Sequence, residues 1–319
     1  MACVLCLTLN PAIDMTIAVD GLTLGEVNRA TASQVDAAGK ALNAAQVLAD
    51  LGLDTLASGF LGDENDGIFE QLFAKRQQKA EQIAHIGTVK NHFVKVVGNT
   101  RTNIKLAHQG QTTDINGIGF AVSTNDKQAL LDTAVQLAQT VDAVLIAGSL
   151  PKGYELDDFE NLLSALCKTP AKIAVDVSGQ ALKVAVKYPL WLIKPNNDEL
   201  TESFGVPCAT LAEQQALFAK LNANIDNIVI SMGADGVHWL QRHAVWRATP
   251  PKMTVASTVG AGDTLVSGMM AGLLNDLPPE QTLKQATALS AHAVSIVGFG
   301  AASGERLAML MAQVGVEQL

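Results

Sequence analysis

The stretch Ser257-Thr258-Val259-Gly260-Ala261-Gly262-Asp263-Thr264 gathers residue types that handle an anion. Two glycines around one alanine let the main chain turn tightly and aim successive N–H groups at a ligand. A small-residue helical pattern follows from Leu265 to Leu274, with Gly268 and Gly272 allowing close packing. Its N-terminus adds the positive end of a helix dipole at the same spot. Phosphate is the natural anion for such a loop. A carboxylate beside it is unexpected on charge alone. Two readings of Asp263 fit: an ordinary helix N-cap, or a base that takes the proton from a hydroxyl attacking the phosphate.

Something must hold that loop at the mouth of a site. The run Thr254-Val255-Ala256 predicts a strand before it. Elsewhere helix and strand patterns alternate. Buried strands are predicted over Val4–Leu9, Ala143–Ala147, Ile173–Val177, Trp191–Ile193 and Ile228–Ser231. Helices are predicted over Ala37–Leu51, Ile68–Gln78, Leu130–Thr140, Leu156–Cys167, Ala181–Lys187 and Leu211–Leu221. Repeated βα units imply a mostly parallel sheet covered on both faces. Ligands of such sheets lie beyond the carboxyl ends of the strands. Polar clusters stand there: Asn10–Asp14, Gly148–Pro151, Lys194–Glu199, Ser231–Gly236 and the anion loop.

Two polar, strand-rich patches, about 11–35 and 88–118, do not fit that sheet. We assign them to a small second sheet covering a cleft, with a hairpin at Gly98-Asn99. Ile13–Val19 alternates, leaving Met15, Ile17 and Val19 on one face.

The 319 residues are 48% hydrophobic and 17% charged, enough for a substantial core and too little charge for disorder. A net charge of −9 argues against nucleic acid or an anionic membrane as partner. The N-terminal run lacks a basic region and cleavage pattern, and a cytoplasmic location is expected. Cys3 and Cys6 lie three apart in a strand, facing opposite ways, so buried thiols are expected rather than a zinc site. Walker A and dinucleotide fingerprints are missing. Gly67 stands at the fifth position of a calcium loop begun at Asp63, where an oxygen ligand is needed.

Taken jointly, Asn10–Asp14, Ala38–Asn43, Thr100–Lys105, Gly148–Pro151, Lys194-Pro195-Asn196 with Glu199, and Thr258–Asp263 occur in the order seen in PfkB-type sugar kinases, which the chain resembles end to end. The resemblance implies a single ribokinase-like α/β domain over 1–319, three layers with a central mostly parallel sheet and a small β-sheet lid. It implies ATP-dependent phosphorylation of fructose 1-phosphate at its free primary hydroxyl. Tagatose 6-phosphate is the alternative substrate, and a non-catalytic sugar-phosphate or nucleotide sensor the alternative from another class.

By the same resemblance Asp263 is the base, and the amides of Gly260, Ala261 and Gly262 form the anion hole. Asp14, Asn28, Gly39, Lys40, Asn43, Arg101, Lys105 and Ser149 fall at sugar-phosphate positions. Arg101 suits a phosphate because its planar fork binds bidentately; Lys105 fits a solvated surface lysine as well. Lys194, Asn196, Ser231, Gly233, Gly236, Thr258, Gly260 and Gly262 fall at ATP positions. Glu199 and Asn196 match an element that organises Mg2+, although a first-turn acid favouring a helix dipole also describes Glu199. A homodimer through the lid is expected. Ala41 departs from the pattern, which usually has Gly; a need for positive φ there would strain it.

Overall fold

The computed structural model of the chain describes residues 1–108, 111–221, 223–296, 300–302 and 304–319. Residues 109–110, inside the expected lid segment, lie outside the described residues. The first half runs β1 (Cys3–Thr8), β2 (Ala12–Val19), β3 (Ala30–Ala38), α1 (Lys40–Asp50), β4 (Asp54–Gly62), α2 (Gly67–Gln82), β5 (Val89–Asn91), β6 (Val94–Val96), β7 (Arg101–His108), β8 (Gln111–Asn116), α3 (Thr124–Ala138) and β9 (Ala143–Ala147). The second runs α4 (Leu156–Leu166), β10 (Lys172–Asp176), α5 (Gly179–Ala185), β11 (Leu190–Ile193), α6 (Asn197–Phe204), α7 (Leu211–Leu221), β12 (Ile225–Ser231), a 3-10 turn (Gly233–Asp235), β13 (Val237–Gln241), β14 (Val245–Thr249), α8 (Ala261–Leu274), α9 (Pro279–Val294), α10 (Gly304–Met311) and β15 (Gly315–Gln318).

Among the described residues the main sheet has the order β15-β14-β13-β12-β11-β10-β9-β1-β4-β5, with β6 also on β4. Pairing is parallel from β12 through β5 and antiparallel from β12 to β15. Strand alternation divides the core in two. In β1, Leu5 and Leu7 join α3 to α7 on one face, while Val4 and Cys6 join α1, α2, α8, α9 and α10 on the other. The three layers are as expected. The four cysteines are free, with Cys6 buried and Cys3 half-buried.

The second sheet is β3-β2-β7-β8. Three expectations about its surroundings need correction. Gly98-Asn99 does not turn a hairpin: β5 and β6 pair in parallel with β4 in the main sheet, and β7 pairs with β2. The lid's second segment is therefore 101–116, not 88–118. Alternation marks a strand but carries no address, so it could not say which sheet each strand joins. Ala37 and Ala38 end β3, and α1 begins only at Lys40. Thr254–Ala256 is not a strand; Val255 is 62% exposed. The amides of Ala256 and Ser257 donate to the Val294 carbonyl at 2.8 and 3.2 Å, so the end of α9 seats the anion loop.

Helices α8 and α9 touch where Gly268 and Gly272 leave no side chain. A Cβ on Gly268 would lie 2.6 Å from the Ala286 Cα. Gly268→Val is expected to cost about 1–3 kcal/mol by overpacking. A denaturant titration checks this, reading a lower midpoint at unchanged slope.

Candidate active site

The carboxyl ends of β1, β9, β11 and β12 put their polar clusters along one edge, as expected, and α8 brings the anion loop to the same edge from the other side. The small sheet forms the facing wall. The cavity between them measures about 380 Å³ and is lined by Asp14, Gly39, Lys40, Asn43, Arg101, Lys194, Asn196, Glu199, Ser231, Thr258, Gly260, Gly262 and Asp263, with Ala12, Ala38, Asn103 and Val259.

Asp263 is not an N-cap. Gly260 occupies that position with φ 80°, and Asp263 sits in the first turn of α8, 6% exposed. Its Oδ2 accepts from Asn43 Nδ2 at 2.8 Å, a bond across 220 residues that ties α8 to α1. Burial pushes its carboxyl up to about 6; the Asn43 bond, Lys40 and Lys194 pull the other way. The first amides of any α-helix lack intrahelical acceptors, so those of Ala261, Gly262 and Asp263 stay free of the helix ladder, and Gly262 and Asp263 line the cavity.

Gly39 caps α1 with φ 149°, and a Cβ there would lie 2.5 Å from Thr8 Cγ2. Only glycine lets α1 start against β1 and bring Lys40 and Asn43 to the cavity. Ala41, two residues on, is fully buried in the core and has no positive φ, so its methyl is accommodated.

Sequence reasoning did not single out Asp176. It ends β10, 2% exposed, with Lys194 Nζ at 3.3 Å and Lys40 Nζ at 3.9 Å. Its charge holds the Lys40 ammonium above the usual lysine range. Lys194 Nζ also lies 3.3 Å from where a Gly262 Cβ would be, so its cation faces the anion loop. An acid at the carboxyl end of an apolar strand was the available signal.

Asn196 and Glu199 form a reciprocal capping box on α6: Glu199 N–H donates to Asn196 Oδ1 at 2.6 Å, and Asn196 N–H to Glu199 Oε2 at 2.9 Å. The first-turn reading of Glu199 therefore holds, and the side chain still lines the cavity. Arg101 spends two donors on the Pro11 and Asn10 carbonyls at 3.3 and 3.2 Å, leaving part of its fork free. Burial lowers its pKa from the ordinary arginine value. Asp14 accepts from Asn103 at 3.1 Å and pairs with Lys105, which stands behind the cavity wall.

Six expected site residues are not on that wall: Lys105 and Ala261 stand behind it, and Ser149, Gly233, Gly236 and Asn28 lie elsewhere. Ser149 Oγ accepts from Asn10 at 3.0 Å. Gly233 and Gly236 shape the 3-10 turn after β12, where a Cβ on Gly236 would strike the Ala248 carbonyl at 2.0 Å. Asn28 is exposed and ties its own loop, bonding the Thr23 amide and carbonyl at 2.9 Å. Among the described residues no three His, Cys, Asp or Glu side chains cluster as metal ligands, and no helix is long and apolar enough to cross a membrane.

The chain belongs to the pfkB family of carbohydrate kinases, whose profile matches residues 7–304. Its relatives include the 1-phosphofructokinases of Vibrio cholerae, 42% identical over 99% of this chain and 97% of that one, and of Escherichia coli, 37% identical over 98% and 97%. In fold it is similar to phosphofructokinase-2 from Escherichia coli in complex with substrates and products, with TM-score 0.86 and 23% identity over 98% and 99% of the two chains. Arabidopsis thaliana ribokinase, complexed with ribose and ATP, gives 0.73 and 20% over 98% and 99%.

Proposed function

We propose that this kinase transfers the γ-phosphoryl group of ATP to the free primary hydroxyl of fructose 1-phosphate, giving fructose 1,6-bisphosphate. The observation that carries the reading is Asp263: buried, held by Asn43, and raised to about 6 beside the anion loop. Such an acid is ionised at neutral pH and close enough in pKa to act as a base. It takes the hydroxyl proton as the oxygen attacks. The amides of Gly260, Ala261 and Gly262 and the Lys194 cation stabilise charge on the transferring group.

Asp14, Gly39, Lys40 and Asn43 hold the sugar, Arg101 the phosphate it already carries, and Lys105 adds positive charge. Lys194, Asn196, Ser231 and Thr258 meet the nucleotide. Glu199 keeps Oε1 clear of the capping box and would hold Mg2+ through water, with Asn196 orienting it. An ion that keeps several waters suits one carboxylate plus nucleotide oxygens, where it would neutralise phosphate charge. The names of the relatives favour fructose 1-phosphate over tagatose 6-phosphate.

A coupled ADP-release assay with fructose 1-phosphate, tagatose 6-phosphate and fructose 6-phosphate side by side tests the reading, with the first expected fastest. Nucleotide binding without ADP release on any of them would make the protein a sensor.

The working unit is a homodimer through the small sheet. Val35, Met15, Ile104 and Ile115 fall in register across its four strands, and Ile17 and Leu106 lie beside them. Val35 and Ile115 are 43% and 52% exposed, although Val19 is buried, so the uncovered apolar patch begins further along than alternation implied. Ile104→Lys is expected to convert a dimer at micromolar concentration to monomer, read by light scattering.

A further inference from the structure

Asn103 lines the cavity from β7, directly across the ladder from Asp14 on β2, and no step above uses it. Its Nδ2 donates to Asp14 Oδ1 at 3.1 Å, while Lys105, two residues along the same strand face, takes Asp14 Oδ2. Asp14 is thus gripped by separate donors on its two oxygens. That settles which way the Asn103 amide points. An ionised carboxylate only accepts, so the NH2 faces Asp14 and the carbonyl faces away.

That carbonyl oxygen is buried and has no partner. Leaving a buried acceptor unpaired costs stability. The bond to Asp14 accounts for the Asn103 NH2 but gives its carbonyl oxygen no use, so neither packing nor the Asp14 bond explains the acceptor. The same pattern recurs across the cavity. Asn43 donates Nδ2 to Asp263, and its Oδ1 is also buried without a partner. Each of the two cavity acids is therefore held by an amide with an idle acceptor.

We propose that Asn103 is a sugar-recognition residue. Its Nδ2 fixes Asp14 to accept one hydroxyl, and its Oδ1 accepts a second when the small sheet settles on the substrate. The ligand class is a polyol with two neighbouring donor hydroxyls. The proposal rests on the sugar-phosphate kinase reading. It assigns Asn103 to the sugar and not the nucleotide, because it sits on the small sheet, whereas Lys194 and Ser231 follow strands of the main sheet.

Steady-state kinetics on the full chain, with thermal unfolding alongside, test this. Asn103→Leu is expected to raise KM for fructose 1-phosphate at least tenfold, on the scale of a site left with unpaired polar groups. KM for ATP should stay within about twofold, since the interaction removed faces only the sugar. The unfolding midpoint is expected to fall only slightly, since Lys105 still holds the other Asp14 oxygen. Asn103→Asp should bind sugar better as pH falls, because only its protonated carboxyl can donate to Asp14. Unchanged sugar KM in an active Asn103→Leu variant overturns this inference alone. A much lower midpoint with both KM values raised together also overturns it, as that describes a structural residue. A wild-type protein inactive on fructose 1-phosphate overturns the functional reading and this inference with it.

Discussion

Asp263→Ala is expected to lower kcat by two or more orders of magnitude, the scale of a positioned acid–base group, while nucleotide still binds. Asp263→Asn should do nearly the same, which separates loss of the base from loss of shape. The mechanism also sets a pH limb. Burial raises the Asp263 carboxyl to about 6, so the base is protonated and idle below that pH and ionised above it. The ratio kcat/KM, which reports the free enzyme, should fall tenfold per pH unit below about 6. An ordinary aspartate would leave the rate flat to about 4. A plateau reaching pH 4.5, or a variant retaining a tenth of wild-type turnover, would remove Asp263 from the chemistry.

Lys194→Met is expected to damage both activity and stability. Lys194 and Asp176 are 5% and 1% exposed in their side chains and 3.3 Å apart. Removing one member of a buried pair strands the other, at a cost of about 3–5 kcal/mol. Here Lys40 tempers the loss, standing 3.9 Å from the same carboxylate but 42% exposed. Turnover should fall about a hundredfold, as for one lost transition-state contact in a dry site. The double variant Lys194→Met, Asp176→Asn discriminates the two effects. It should recover much of the unfolding free energy, because no unpaired charge remains, and recover no turnover, because the cation beside Gly262 is still missing. Recovery of both would mean that Lys194 serves the fold and not the reaction.

Gly39 and Asn103 show how far the chain could be read directly. Gly39 was legible as part of a motif, but the reason for it, a Cβ 2.5 Å from Thr8 Cγ2, arises from a strand about thirty residues earlier. Asn103 sat inside a quoted motif and drew no notice, because its meaning depends on standing opposite Asp14 in a parallel ladder. Asp176 lay inside a predicted strand, Ile173–Val177, and was not singled out; only the approach of Lys40 and Lys194 gave it a role. Asn28 lies in an exposed loop whose own backbone it bonds, a placement that its position in a motif did not state.

From its sequence alone the chain declared its alternation of strands and helices, a two-sided core, and an anion loop with an acid in the following turn. These are local properties: hydrophobic period, turn chemistry and the first turn of a helix are decided by residues within a few positions of one another. The tertiary structure alone decided that β6 and β7 part into different sheets, that α9 rather than a strand seats the anion loop, and that Asp263 is buried deeply enough for its affinity for a proton to rise. Each depends on contacts between segments tens to hundreds of residues apart, whose desolvation and pairing free energies have no signature in any short window of sequence.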